Sequence, residues 1–334
     1  MLRLGFTLSS EEHSARELVR YAQAAEEAGF DFAMISDHFH PWSHSQHNSP
    51  FVWGALGAIA QATTRIPVGT AVTCPTIRIH PAIVAQAAAT AASLMPGRFM
   101  LGVGSGENLN EHVVGCKWPA PRIRLEMLEE AIGVIQMLWR DGWHSHYGKY
   151  YSVENARIFS LPEQAPPILM AAAKPRAAQL AGRLGQGLIS TAPQESLVKA
   201  FKEAGGRGQP CYGQIAVCWA RTEKQARRTA REIWPNALIS GDASAELPLP
   251  RQFEKLAEDY SEEDIEQVGQ VVCGPDSAKH VTAIKKYLDA GFDHVFIHQV
   301  GKEQQECMRF YRDEVIPALS PGSDGAARVE ADRA

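Results

Sequence analysis

The chain has 334 residues, 45% hydrophobic and 21% charged, with a formal net charge of -5. That balance belongs to an ordinary globular protein with a sizeable core and excludes disorder and fibre. The acidic net charge, with no basic run, argues against nucleic acid as a partner, and no apolar run approaches the ~18 residues of a membrane span.

Met1 leads directly into Leu2 to Leu8, a strand candidate too short for a signal peptide, so a soluble cytoplasmic protein is expected. Ser14 to Ala28 reads as a helix, with Leu18, Tyr21, Ala22 and Ala25 at helical spacing and Gly29 placed to stop it. The apolar run at 32–35 has no room for a helix before Pro41 and suits a strand covered on both faces. It ends in Ser36-Asp37-His38-Phe39-His40-Pro41-Trp42. Helix 51–62, strand 68–73, helix 81–94 and strand 99–103 follow. Residues 108–121 form a loop, and Arg122 to Arg140 is the clearest helix, with Leu125, Leu128, Ile132, Ile135 and Leu138 on one stripe. Trp143 to Phe159 alternates like a hairpin. Strands at 167–172, 187–191, 214–220, 270–273 and 294–300 alternate with helices at 175–184, 195–205, 223–234, 277–290 and 303–319. Residues 235–268 read as an inserted lid of short helices, and 320–334 as a disordered tail.

About eight strands, each followed by a helix, predict a single (β/α)8 TIM barrel over 1–319, with insertions near 108–121, 143–159 and 235–268. The alternative is a doubly wound sheet. That fold would place a glycine-rich turn after the first strand, where this chain has Ser9-Ser10-Glu11-Glu12-His13. The six cysteines contain no C-x-x-C pair and read as reduced thiols.

Four clusters fall at strand ends, where ligands bind in barrels and open sheets. The first is Asp37-His38 with Trp42. A histidine titrates near neutrality and can take a proton from a substrate, so His38 is the candidate base; the plainer reading is a satisfied core histidine. His38, His40, His44 and His47 invite a metal, yet one loop lacking helical H-x-x-x-H spacing or nearby carboxylates does not define such a site, and none is expected. The second cluster is Gly102-Val103-Gly104-Ser105-Gly106-Glu107. It fails as a dinucleotide fingerprint and as a nucleophile elbow, leaving a loop that lets a planar ligand approach the backbone beside a carboxyl group. The third is Val72-Thr73-Cys74-Pro75-Thr76. The fourth is Ala171-Ala172-Ala173-Lys174-Pro175-Arg176, a helix start where backbone N–H groups with Lys174 and Arg176 would suit a phosphate.

Ser36-Asp37-His38-Phe39 with Pro41-Trp42, Gly102 to Glu107 with Leu109-Asn110-Glu111, and Ala181-Gly182-Arg183 followed by Gly185 and Gly187 resemble the F420-dependent glucose-6-phosphate dehydrogenases of the luciferase-like superfamily. The resemblance runs from Leu2 to about Leu319. It implies a TIM barrel, usually a homodimer, that binds coenzyme F420 at the carboxyl ends of the strands. By position, Asp37 contacts the deazaflavin and the Ala71-Val72 bond is a non-proline cis peptide behind the ring. Ser105, Gly106 and Asn110 line the coenzyme. Cys74 stands where the group has a contacting threonine, and Ala173-Lys174 where it has a glycine pair near the coenzyme phosphate, with Arg176 and Ala177 following. His38 is the base, Glu107 the partner acid and Trp42 a substrate-side residue.

An alcohol carbon gives up hydride only as its hydroxyl loses a proton, so the site needs a base near the oxygen and a ring against the carbon. His38 suits the first need, and a protonated Glu107 would balance charge on the reduced ring. On the substrate side the resemblance aligns Lys255 with one phosphate-binding cation and Thr191 with a hydroxyl contact. Gln194 replaces a second lysine, and an arginine is missing near Gly269-Gln270. Loss of two such contacts favours a neutral alcohol or unphosphorylated sugar over a sugar phosphate. Glucose 6-phosphate oxidation proper, a flavin-dependent monooxygenase on the same barrel, and a non-catalytic coenzyme carrier are the alternatives.

Overall fold

The computed structural model of the chain describes residues 2–239 and 243–319; the tail read as disordered lies outside them. In chain order the strands are β1 (Arg3–Leu8), β2 (Phe32–Ile35), β3 (Val68–Thr70), β4 (Phe99–Val103), β5 (His144–Tyr147), β6 (Ser152–Ala156), β7 (Ile168–Ala171), β8 (Leu188–Ser190), β9 (Cys211–Cys218), β10 (Val272–Cys273) and β11 (His294–Gln299). Neighbours β1, β2, β3, β4, β7, β8, β9 and β11 pair in parallel in that order. The ring closes where β11 meets β1, with Arg3 opposite His294 and Phe6 opposite Ile297. This is the expected (β/α)8 barrel.

Hydrophobic spacing explains the outer layer. Helix α1 (Ala15–Ala28) starts on a capping box between Ser14 and Glu17 and ends at Gly29 in the left-handed conformation, burying Leu18, Tyr21, Ala22 and Ala25. Helices α2 (Val52–Ala62) and α3 (Pro81–Leu94) follow β2 and β3, and the short α4 (Asn108–Glu111) follows β4. Helix α5 (Pro121–Leu138) buries Leu128, Ile132, Ile135 and Leu138. Next come α6 (Pro175–Leu184), α7 (Glu195–Phe201) and α8 (Glu223–Ile233), then α9 (Ala243–Glu246), α10 (Pro250–Ala257) and α11 (Asp264–Gln267) between β9 and β10. Last are α12 (Ser277–Asp289), α13 (Gln304–Phe310) and α14 (Ile316–Leu319). Inside the barrel, Phe32, Met34, Met100, Leu169, Ile189, Tyr212 and Phe296 form a separate packed cluster, so the barrel is a filled core and not a pore.

Three stretches differ from the sequence reading. Residues 270–273 were expected to supply a strand of the main alternation, but β10 has two residues and pairs only with Val217 and Cys218, at the far end of β9. The stave beside β9 is β11, matched from Tyr212 to Val217, because eight strands already close the ring. Strand β3 stops at Thr70 and not at Thr73, and the Ala71–Val72 peptide that follows is cis. One bridge, Thr73 to Val103, survives beyond it. The 108–121 loop contains α4 and a 3-10 turn at His112–Val114.

The same region explains Gly102. A Cβ there would lie 1.8 Å from the Thr70 carbonyl oxygen. Without one, the Thr70 hydroxyl donates to Gly102 O at 2.7 Å and Gly102 N–H donates back to it at 3.0 Å. β3 and β4 are therefore locked together directly below the mouth.

Candidate functional site

Polar side chains converge where β1, β2 and β4 end. The turn after β1 carries Glu11, which is buried and accepts hydrogen bonds from the hydroxyls of Ser36 and Ser9. Its other carboxylate oxygen lies 3.2 Å from Nε2 of His38. Burial pushes the Glu11 carboxyl up, but the charge carried by a protonated His38 and the Ser36 hydroxyl outweigh it and hold the group below the ordinary carboxylate range.

The opposite edge of the His38 ring meets Asn110. Its Oδ1 accepts from the backbone N–H groups of Phe39 at 2.9 Å and His40 at 3.2 Å, which sets which way the amide points. Nδ2 therefore faces Nδ1 of His38 at 3.2 Å and Oε2 of Glu107 at 3.4 Å. One amide thus spans the two groups that the sequence marked as base and acid. Nδ1 of His38 also lies 3.2 Å from the His40 carbonyl. A neutral ring accepts there from Asn110 and donates from Nε2 to Glu11; a protonated ring donates from Nδ1 to His40 O.

Asp37 turns the other way. Its carboxylate is buried, accepting from the Thr73 hydroxyl at 2.8 Å and from Nη2 of Arg78 at 2.8 Å. Arg78 lies between Asp37 and Glu111, with Nε 3.7 Å from Glu111 Oε1. Glu111 Oε2 accepts the backbone N–H groups of Ile77 and Arg78 at 3.2 and 2.7 Å. Burial raises the Glu111 carboxyl to about 7 despite these donors. Cys74 is buried beside this group, and burial with the nearby Glu111 and Glu107 charges pushes its thiol well up.

Trp42 stands on the lid side of His38, ring centroids 5.0 Å apart, and packs edge-on against Phe253 of α10 at 5.2 Å. Glu254, next to Phe253, holds His44 at 2.9 Å, while Glu246 of α9 pairs with Arg124 and accepts at its backbone from Asn108. The histidines read as a possible metal set go separate ways: His40 bonds Leu109 O, His44 pairs with Glu254, and His47 has a left-handed backbone. Ser105 and Gly106 are half-buried at the end of β4. Ala173, Lys174 and Arg176 are exposed and Ala177 half-buried around the start of α6. Thr191, Gln194 and Lys255 are exposed, the last on α10.

Glu11 and Arg78 were missed by sequence reasoning. Glu11 lay in the turn used only to reject a phosphate loop, and its position at the end of a strand was the available signal. Arg78 carried none.

A closed parallel barrel with its polar groups gathered at the carboxyl ends of the strands defines the α/β barrel enzyme class. The chain belongs to the luciferase-like monooxygenase family, whose model matches residues 2–294. It is 34% identical over 330 residues to the F420-dependent glucose-6-phosphate dehydrogenase of Microbacterium testaceum (strain StLB037), covering 95% of this chain and 97% of that one. The corresponding enzyme of Amycolatopsis mediterranei (strain U-32) is 35% identical, with 96% and 99% covered. Among solved structures, an F420-dependent secondary alcohol dehydrogenase in complex with an F420-acetone adduct superposes with a TM-score of 0.88 at 28% identity, covering 96% and 99%. The resemblance drawn from the two motifs is borne out over nearly the whole chain.

Glu111 generates a pH signature. Its folded value of about 7 lies above the ordinary 4.5. Between those values the native protein holds a proton that the unfolded chain releases, so native stability falls as pH rises through that window. At about 1.4 kcal/mol per unit the fall is about 3 kcal/mol. Glu111→Gln, which can still accept the Ile77 and Arg78 N–H groups, is expected to flatten that fall in urea unfolding at pH 5 and pH 7. Equal slopes in both proteins would refute the assignment.

Proposed function

We propose that this chain is an F420-dependent dehydrogenase that takes hydride from the carbon of a neutral alcohol or unphosphorylated sugar. The observation that carries the reading is the line Glu11–His38–Asn110–Glu107 across the barrel mouth. The surface beside it suits a flat coenzyme. The cis Ala71–Val72 segment sits over Gly104, where a Cβ would lie 2.6 Å from Val72, so the bulge is cradled by bare backbone. Ala71, Val72, Ser105 and Gly106 would hold the ring, with Asp37, Cys74 and Asn110 supporting that wall. Ala173, Lys174, Arg176 and Ala177 at the start of α6 would hold the phosphate. F420, when bound, supplies a ring carbon that accepts hydride.

The protein's own contribution is proton handling. With Nε2–H directed at Glu11, the ring receives the hydroxyl proton at Nδ1, where the His40 carbonyl is ready to accept from the N–H so formed. Glu11, held below the ordinary carboxylate range, keeps the ring oriented through Nε2. Glu107, on the other side of Asn110, is the acid that would donate toward the reduced ring. Trp42 and Phe253 make an apolar wall on the substrate side.

For the substrate, Gln194 offers no charge and Thr191 is a neutral contact, leaving Lys255 as the single aligned cation, which supports a neutral alcohol or sugar. A secondary alcohol dehydrogenase among the structural relatives agrees with that choice. Exposed Lys199 and Arg251 favour glucose 6-phosphate as the second reading. The same reading includes a cytoplasmic homodimer. Phe51 and Ile83, 62% and 56% exposed, flank an apolar groove with Trp53, Ile79 and Leu94 between α2 and α3, the kind of patch that marks an interface.

Purified protein with F420 should bleach the oxidised chromophore with secondary alcohols or glucose. Its kcat/KM for these should match or exceed that for glucose 6-phosphate, and a large preference for the phosphate ester would overturn the substrate assignment. His38→Ala should keep F420 affinity while kcat falls about 10²–10⁴-fold; near-normal turnover would remove His38 as base. Light scattering should give twice the mass of one chain, and a single-chain mass would exclude the dimer. Recovery outside the cytoplasmic fraction of cells would exclude that location.

A further inference from the structure

Behind the catalytic face lies a set of charges that the proton chemistry does not use. Arg78 sits on the connection between β3 and α3, and its side chain is only 7% exposed. Nη2 donates to Asp37 Oδ1 at 2.8 Å, and Nε faces Glu111 Oε1 at 3.7 Å. Asp37 is the residue before His38, and Glu111 the residue after Asn110. A single cation therefore joins the immediate neighbours of both residues that meet across the mouth. The backbone N–H of Arg78 also ends on Glu111 Oε2, and Asp37 takes the Thr73 hydroxyl beyond the cis bond. One side chain thus links the connections after β2 and β3 to α4.

Stability alone does not account for the arrangement. Each buried ion costs several kcal/mol of desolvation, and apolar packing of the same volume is often as good or better. Two carboxylates stand against one guanidinium here, and burial raises Glu111 accordingly. What the charges supply is a hydrogen bond to Asp37 and an ion contact to Glu111 from one rigid guanidinium, which sets the separation of the two carboxylates. Asn110 holds Phe39 and His40, His40 Nδ1 meets Leu109 O and Glu111 takes the Ile77 N–H, and to these the Arg78 side chain adds a direct link between Asp37 and Glu111.

We propose that Arg78 is a positioning residue for the reaction. By joining Asp37 to Glu111 it fixes the end of β2 against α4 and sets the spacing at which Asn110 meets both His38 Nδ1 and Glu107 Oε2. The proposal rests on the dehydrogenase reading of His38 and Glu107. The planar fork of arginine can face both carboxylates, whereas a lysine ammonium reaches one.

The test uses Arg78→Met and Arg78→Lys in the full chain, with F420 affinity from fluorescence, kcat and KM for the best alcohol, and the ¹⁵N signals of the His38 ring. Arg78→Met is expected to bind F420 like wild type while kcat falls about 10²-fold, the cost of a misplacement near 1 Å. KM should barely move, the His38 signals should shift, and Arg78→Lys should recover part of both losses. Wild-type kcat with unshifted His38 signals in Arg78→Met overturns the proposal. If the wild-type protein reduces no F420 with any alcohol, the functional reading fails. The ring signals then decide Arg78 alone, unshifted signals overturning its role and shifted signals supporting it. Should Arg78→Met fail to fold, Arg78→Lys is judged by the same two criteria; if neither folds, Arg78 is a structural residue and the proposal falls.

Discussion

A carboxylate taken out of water must be given partners, and Glu11 shows how the mouth of this barrel meets that demand. Two serine hydroxyls and the His38 ring surround it, and each comes from the end of β1 or β2. The partners therefore exist only when those two strands are in register, Leu8 opposite Ile35. The same pairing that satisfies the charge aims Nε2 of His38 at it. The opposite ring nitrogen is then directed toward Asn110, and through it toward Glu107. Once Glu11 is buried and ionised, the orientation of the imidazole follows, and so does the atom at which it can take a proton.

Two buried histidines, His280 and His298, show what a structural role looks like. His280 accepts from the Tyr311 hydroxyl at Nδ1, 2.8 Å away, and donates from Nε2 to Gly274 O at 3.0 Å. Burial lowers its affinity for a proton, and both nitrogens are used in the neutral ring. His298 is held by Glu12 at 3.0 Å and packs edge-on against Trp234. Each fits the plainer interpretation raised for His38. His38 differs because its Nδ1 has both a donor, Asn110 Nδ2, and an acceptor, the His40 carbonyl, within 3.2 Å.

The scaffold below the mouth makes such alternatives tolerable. Interior side chains fill the barrel, and β3 and β4 are tied by reciprocal bonds between Thr70 and Gly102. Rigid strand ends hold functional groups more closely than long loops would. Helix α10 packs on the mouth from the other direction through separate contacts, Phe253 on Trp42 and Glu254 on His44. The wall proposed for the substrate side thus comes from the segment between β9 and β10, while the groups proposed for proton transfer belong to the barrel itself.

The order of strands and helices was legible in the chain, because alternating apolar runs and helical stripes record which faces are buried. His38 and Glu107 were legible as candidates, since both follow apolar runs that end abruptly in polar residues, and the position of the cis bond followed from the resemblance. Only the tertiary structure brought in Glu11, 27 positions before His38, and Arg78, 41 positions after Asp37. It also showed that the Asn110 amide crosses 72 positions to reach His38. Nor could the chain show that β10 stays out of the ring, since two short apolar runs look alike until one of them has closed the barrel. Local patterning records burial, which each residue expresses in its own composition. Partnering is a property of strand register and barrel closure, and it exists only when distant segments are assembled.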